Sequence, residues 1–208
     1  MAGDFYWMEV YKDQILIAVA DCTGHGVPGA MVSLVCSNAL NRSVFEFGLT
    51  EPGKILDKTR ELVLETFSKS STDVKDGMDI SLVCIHQHSG EVKWAGANNP
   101  LWYIHQGEFK EIVANKQPIG KSDIYQPFTT HTLQLQKADT LFLFSDGYAD
   151  QFGGPKGKKL KYKQFQEILM SGHAKPIIET ESKVEEIFDE WKGDLEQVDD
   201  VCVIGIRV

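Results

Sequence analysis

Four short motifs in this 208-residue chain set a carboxylate beside an apolar, strand-like run: Asp4 in GDFYW, Asp21 in VADCTGHGVPGAMVS, Asp146 in LFLFSDG, and Asp199 with Asp200 in QVDDVCVIGI. A ligand set made only of oxygen suits hard divalent cations such as Mg²⁺ and Mn²⁺. No Cys/His spacing here matches a zinc site. A single Asp at a strand end is ordinarily a turn or capping residue, so these groups carry chemistry only if they meet in space. If they meet, they repel one another unless neutralised, and two divalent cations supply the matching charge while leaving positions for water. Two such ions about 4 Å apart can share a hydroxide of lowered pKa and clamp a phosphoryl group for in-line displacement. The natural reaction is then phosphoester hydrolysis, which needs neither a nucleophile elbow nor a reactive cysteine.

The elements that must position these groups can be read from periodicity and turn residues. A strand over 15–20 delivers Asp21, and the turn carrying Gly24, His25 and Gly26 lets the chain fold close beside that carboxylate. A helix follows with Pro28 in its first turn, where unpaired N–H groups favour an anion. Residues 5–10 read as a strand hairpinned to 14–20. Ala30, Met31, Leu34, Val35, Ala39 and Leu40 recur at helical spacing up to Gly48. A second helix opens at Thr50 as N-cap and ends at the polar stretch KSSTDVKDG. Alternating strands at 80–86, 92–95, 101–105 and 109–113 form an antiparallel meander, followed by strands at 130–135 and 140–144. Beyond a loop rich in Gly and Lys, helices at 162–170 and 177–191 lead to a last strand at 201–208. Hairpinned strands with helices in two groups predict an α+β chain, an αββα sandwich of two antiparallel sheets flanked by helix pairs. The ends carrying Asp4, Asp21, Asp146 and Asp199 can then converge at one edge. His86 and His88 flank a hairpin turn and read as exposed turn residues rather than ligands.

At 208 residues and 42% hydrophobic content, residues 1–208 read as a single domain with a sizeable core. The formal charge of −9 and pI near 5.1 argue against nucleic acid as a partner. No apolar run approaches membrane-spanning length, so no membrane contact is expected of these residues, and the start lacks the features of a signal peptide. Cys22, Cys36, Cys84 and Cys202 form no CxxC pair and read as reduced thiols of a cytoplasmic protein, whether or not a longer chain carries an anchor. Because Gly3 and Asp4 arrive before any complete element, an upstream strand is expected to be missing.

Six motifs, GDFYW, ADCTGHGVPGA, DGMDISLVCI, GANNPLWYI, FLFSDGYADQFGG and VDDVCVIGI, stand in one order across nearly the whole chain. In this the chain resembles the metal-dependent protein serine/threonine phosphatases of the PPM type, in their SpoIIE-like branch. The resemblance implies the αββα fold, two Mn²⁺ or Mg²⁺ ions, and hydrolysis of phosphoserine or phosphothreonine on a regulatory protein by a hydroxide bridging the ions. It implies catalytic roles for Asp21 and Asp146. Asp21 bridges both ions, the Cys22 backbone carbonyl completes one site, and Asp146 and Asp199 hold the other ion. Asp4 sits near the first ion, directly or through water, and Asp200 supports the pair. His25 has two readings, proton donor to the leaving serine oxygen or lock of the Gly-rich turn. Asp79 reads as a supporting hydrogen-bond acceptor rather than a ligand.

Two departures accompany the resemblance. The phosphate-gripping arginine of many eukaryotic relatives lies upstream of the first motif, and GANNP stands where they often carry another metal-binding Asp. The loop with Lys156, Lys158, Lys159 and Lys161 can replace the missing positive charge, or be a solvated loop. The competing readings are a catalytically silent signalling or dimerisation module of the same fold, and a hydrolase of small phosphoesters. The partners implied are a phosphorylated regulatory protein, an upstream sensor region, and a second copy in a homodimer.

Overall fold

The structure is a computed structural model and describes residues 3–24, 26–68 and 76–208. β1 (Phe5–Tyr11) and β2 (Gln14–Cys22) form the expected hairpin, followed by α1 (Gly26–Phe45) and α2 (Pro52–Ser68). The meander is β3 (Met78–His86), β4 (Val92–Ala97), β5 (Leu101–His105) and β6 (Glu108–Ile112), followed by β7 (His131–Leu133) and β8 (Thr140–Phe144). One helical turn, α3 (Gly147–Asp150), leads to a ribbon of β9 (Phe152–Gly153) and β10 (Lys158–Lys159). α4 (Tyr162–Ser171), α5 (Ile177–Lys192) and β11 (Val203–Arg207) close the chain. A five-stranded sheet runs β1-β2-β3-β4-β7, and a four-stranded sheet runs β11-β8-β5-β6, antiparallel throughout.

The alternation of side chains across strands makes the layers. Leu16, Ala18, Ala20 and Cys22 of β2 face one way and pack with Val32, Cys36 and Leu40 of α1 and Ile55, Leu56 and Leu62 of α2. Val19 faces the other way, with Val83 and Trp94, onto Leu141 and Leu143 of β8. Phe142 and Phe144, on the far face of β8, meet Trp102, Tyr148, Phe165, Leu169 and Phe188 beneath α4 and α5. Three apolar layers thus hold helices, sheet, sheet and helices in order, which is the αββα sandwich expected from the sequence. Each fully buried residue of this size contributes roughly 1.5–3 kcal/mol. Among the described residues no helix is long and apolar enough to cross a membrane.

Details differ from the sequence reading. α1 is apolar nearly all round, and its buried stripe runs through Gly29, Val32, Cys36 and Leu40, whereas Met31 and Leu34 are 66% and 72% exposed. α2 opens on Pro52, whose missing N–H suits the first helical turn, rather than at Thr50. Most of the stretch expected to end α2 lies outside the described residues. The strand expected over 130–135 is only three residues long, and the lysine-rich loop contains a paired ribbon. All four cysteines are free thiols, and Cys22, Cys36 and Cys84 are buried.

One buried carboxylate ties the second sheet together. Asp139 accepts hydrogen bonds from the backbone N–H groups of Gln136 (2.7 Å) and Gln106 (3.0 Å), and its Oδ2 lies 2.6 Å from His105 Nδ1. It therefore fixes the β5–β6 turn, where Gln106 has φ 52°, to the entry of β8. Burial alone would raise its pKa, but the two N–H donors and the His105 ring outweigh it and hold the carboxyl below its usual range. A depressed folded pKa gives stability that is present above the unfolded value, about 3.9, and lost as pH falls through the folded one. Asp139→Asn should therefore unfold about 1–3 kcal/mol more easily at pH 7 in urea titrations, with the gap closing at acid pH. A gap of zero, or one independent of pH, would contradict this reading.

Candidate active site

Strand register brings the acidic motifs to one end of the sandwich. Phe5 pairs with Ala20, so Asp4 follows one step beyond, level with Asp21, and Asp21 itself pairs with Asp79 across β2 and β3. On the second sheet Val203 pairs with Phe144, and this ladder continues through Ser145 N–H to the Cys202 carbonyl (2.9 Å) and Cys202 N–H to Ser145 Oγ (3.0 Å). Asp146 and the Asp199–Asp200 pair are thereby held on adjacent segments. Gly147 is required there, because a Cβ would collide with the Asp200 carbonyl. The Gly3 N–H donates to Asp200 Oδ2 at 2.6 Å, tying the two ends of the described chain together.

The Gly-rich turn folds back as expected. Gly24 has φ +86°, and a Cβ at Gly3 would lie 2.7 Å from the Gly24 carbonyl and 3.0 Å from the Cys22 carbonyl. The Cys22 side chain points into the core beneath α1, leaving its backbone near the acidic groups. Thr23 Oγ1 donates to Asp76 Oδ1 (3.2 Å) and accepts from Gly77 N–H (3.1 Å). Two cavities meet at Asp21. One, of about 490 Å³, is lined by Asp21, Cys22, Thr23, Gln197, Asp199 and Asp200; the other, of about 230 Å³, by Asp21, Thr23, Gly77, Asp79, Pro118 and Gly120. A larger one, about 670 Å³, lies between α5 and β11; it shares Gln197 with the first cavity and is lined by none of these aspartates.

Electrostatics show how closely the groups are confined. Burial, then the charges of Asp4, Asp146, Asp199 and Asp79, push Asp21 up to about 8. Burial, reinforced by Asp200 and Asp199 and opposed by the Ser145 hydroxyl and the Asp21 side chain, takes Asp4 to about 6. Asp146 is raised by burial, then by Asp199 and Asp150, with Lys159 opposing. Asp79 is raised by burial, while its Oδ1 accepts from Asn98 Nδ2 at 2.8 Å. That contact matches the supporting role expected of it.

The structure thus brings Asp4, Asp21, Asp146, Asp199 and Asp200 into one neighbourhood, together with the Cys22 backbone. His25 lies outside the described residues. Among the described residues no group of three or more His, Cys, Asp or Glu side chains stands ready in ligand geometry, so the carboxylates are neighbours rather than a finished coordination shell. Their chemistry nonetheless fits hard divalent ions: the donors are all oxygen, Asp4 Oδ2 is buried with no hydrogen-bond partner, and crowding favours replacing protons with metal. His86 is the half-buried last residue of β3, not the exposed turn residue expected, and its ring accepts from Ser89 N–H (3.2 Å), whereas exposed His88 lies in the turn and faces Asp13. Sequence reasoning missed Ser145, Asp150 and Tyr162. Burial and then Asp146, Asp150, Asp21 and Asp79 push the Tyr162 phenol up to about 12, so it stays protonated beside the acidic groups. The i, i+4 spacing of Asp146 and Asp150 was the signal that could have found the second of these.

The arrangement is that of the PP2C-type, or PPM, phosphatase fold. A similar structure is the SiaA-PP2C domain of Pseudomonas aeruginosa, 28% identical, covering 100% of this chain and 81% of that one with a TM-score of 0.88. The PP2C phosphatase domain of SpoIIE from Bacillus subtilis shares the fold at 19% identity and TM-score 0.74, over 99% of this chain and 56% of that one. The family model described as Stage II sporulation protein E (SpoIIE) matches residues 11–208, and the chain belongs to that family. It is also 27% identical over 155 residues to phosphoserine phosphatase RsbU of Bacillus subtilis (strain 168), a match that takes in 72% of this chain and 43% of RsbU. The chain thus spans less than half the length of that curated relative.

Two expectations follow from the crowded carboxylates. Folded pKa values of about 6 and 8 lie above the unfolded carboxylate range, so these groups stabilise the metal-free protein below about pH 4, and that contribution is lost as pH rises through 6 and 8. In chelator the melting temperature should fall between pH 5 and 8.5, and added Mn²⁺ should raise it most at the alkaline end. A melting temperature that climbs over that range in chelator would contradict the assignment. Asp21→Asn should melt higher than the parent in chelator, by about 2–4 °C per kcal/mol of repulsion relieved, and should gain less from Mn²⁺. A lower melting point in chelator would show that Asp21 is held by partners rather than crowded.

Proposed function

We propose that this chain hydrolyses phosphoserine or phosphothreonine on a regulatory protein, using two Mn²⁺ or Mg²⁺ ions. The observation that carries this reading is the convergence of Asp4, Asp21, Asp146 and Asp199 from separate strand ends into one partly buried, mutually repelling group. Asp21, level with Asp4 and shared by two cavities, would bridge the ions, with the Cys22 carbonyl on one side. Asp146 and Asp199 would hold the second ion, and Asp4 would complete the first through its unpartnered Oδ2. Bound ions would supply an acidified water and the positive charge that offsets the phosphoryl oxygens.

The chain's own residues then have defined tasks. Asp200 holds the Gly3 N–H and so fixes the entry to β1. Ser145 holds the Cys202 N–H and orients Asp4. His25 retains both readings, proton donor to the leaving oxygen or lock of the turn. The phosphoserine phosphatase named among the relatives supports phosphoserine as the group hydrolysed. A cytoplasmic setting, an upstream sensor region and a homodimer belong to the same proposal.

A silent docking module of this fold would need exposed apolar surface but no acidic cluster. Tyr6, Met8, Met31 and Leu34 supply such surface, which is the observation that favours that second reading. Hydrolysis of a phosphoserine peptide separates the two. The protein should turn over with Mn²⁺, stop with chelator, and lose more than about 100-fold in kcat as Asp146→Asn. Activity indifferent to both chelator and substitution would overturn the two-ion reading, and no turnover with metal would favour the docking module.

A further inference from the structure

Immediately after Asp146 the chain builds a basic arm beside an acidic site. Asp146 caps α3 and Asp150 ends it four residues later, with Asp150 N–H donating to the Asp146 carbonyl at 3.0 Å, so the two side chains rise from one face of a single turn. β10 pairs Lys159 with Phe152, and the Lys159 ammonium lies 2.7 Å from Asp150 Oδ2 and 5.8 Å from the centre of the Phe152 ring. It is close enough to Asp146 to offset part of the repulsion there.

The arm is anchored, not loose. Leu160 N–H donates to the Gln151 carbonyl (3.0 Å) and Lys161 N–H to the Ala149 carbonyl (2.7 Å). Gly154 N–H reaches the Trp191 carbonyl (2.7 Å), and Trp191 Nε1 returns to the Gln151 carbonyl (3.1 Å). Buried Gln151 also spans to the segment before Asp199, donating to the Glu196 carbonyl (3.0 Å) and accepting from Val198 N–H (3.3 Å). The backbone that carries Lys159 is thereby fixed relative to both acidic segments of the second sheet, and the 2.7 Å contact with Asp150 directs its ammonium. Lys156, Lys158 and Lys161 are exposed on the same arm.

A half-exposed ion pair such as Lys159–Asp150 adds little to folding, so stability is a weak reason for this contact. A phosphate monoester, by contrast, is an anion that must approach Asp146, Asp150, Asp199 and Asp200. An ammonium with three N–H groups, one turned to Asp150, has donors left for such an oxygen. We propose that Lys159 binds a non-reacting oxygen of the substrate's phosphoryl group, and that Asp150 is the positioning residue that aims it. This assignment rests on the phosphatase reading above and sharpens it to one side chain.

The test uses the Mn²⁺-loaded protein with p-nitrophenyl phosphate and a phosphoserine peptide, and inorganic phosphate as competitive inhibitor. Lys159→Gln should raise Ki for phosphate and KM for both substrates about tenfold or more, as expected for a lost charge-assisted hydrogen bond. Lys159→Arg should stay within about threefold of the parent, because it keeps the charged donor. Asp150→Asn should raise KM more than it lowers kcat. Lys158→Gln should change neither constant, and the Mn²⁺-loaded Lys159→Gln protein should melt close to the Mn²⁺-loaded parent. If the parent is active but Ki and KM are unchanged in Lys159→Gln, the Lys159 assignment alone is overturned. If melting temperature and metal response fall together with activity, Lys159 is structural and the assignment is likewise overturned. A parent that hydrolyses neither substrate overturns the phosphatase reading, and Lys159 with it.

Discussion

Like charges confined at the seam between two sheets are the constraint around which this protein is arranged. Left to themselves, Asp4, Asp21, Asp146 and Asp199 would separate into water. The sandwich prevents this by fixing the backbone from which each one springs, and the partial burial of Asp4, Asp21 and Asp146 adds to the repulsion. The consequence is a local repulsion that bound protons relieve, Asp21 keeping its proton up to about pH 8, and that multivalent cations can relieve in their place, releasing those protons. The fold spends packing energy from three apolar layers to maintain it.

The backbone around the site is correspondingly tight. Gly29 and Gly3 pack against the Gly24 carbonyl, and Gly147 against that of Asp200, so the carboxylates are set by main-chain contacts that no side chain larger than hydrogen would permit. Hydrogen bonds from Gly3 to Asp200 and between Ser145 and Cys202 join the first strand, the eighth and the last. The lysine arm is held with equal economy through Gln151 and Trp191. Rigidity of this kind suits preorganised binding of a charged group, because little reorganisation is left for the moment of reaction.

Much of this was legible in the residues. The alternation in β2 and β8, the Gly-rich turn after Asp21, and the hairpin signals HSGE and QGE follow from local physics, so the antiparallel sandwich could be anticipated from them. The gathering of distant aspartates could be stated only as a condition, since it depends on the pairing of Asp21 with Asp79 and of Val203 with Phe144, and register between remote strands leaves no local mark. The face of α1 is less legible: Met31 and Leu34 fit the helical period but lie outward, because a helix whose apolar residues are spread over several sides does not reveal which stripe it buries. The ribbon carrying Lys159 looked like a loop because two-residue strands held by a distant Trp191 have no sequence pattern of their own.

The central claim is that these carboxylates share one pair of cations. Calorimetric titration of Mn²⁺ into the metal-free protein at pH 7.5, repeated in buffers of different ionisation enthalpy, measures this most directly. The account predicts two ions per chain, protons released as they bind, and both signals diminished when Asp21 is replaced by Asn. Binding without proton release and unchanged by that replacement, or no binding at all, would contradict it.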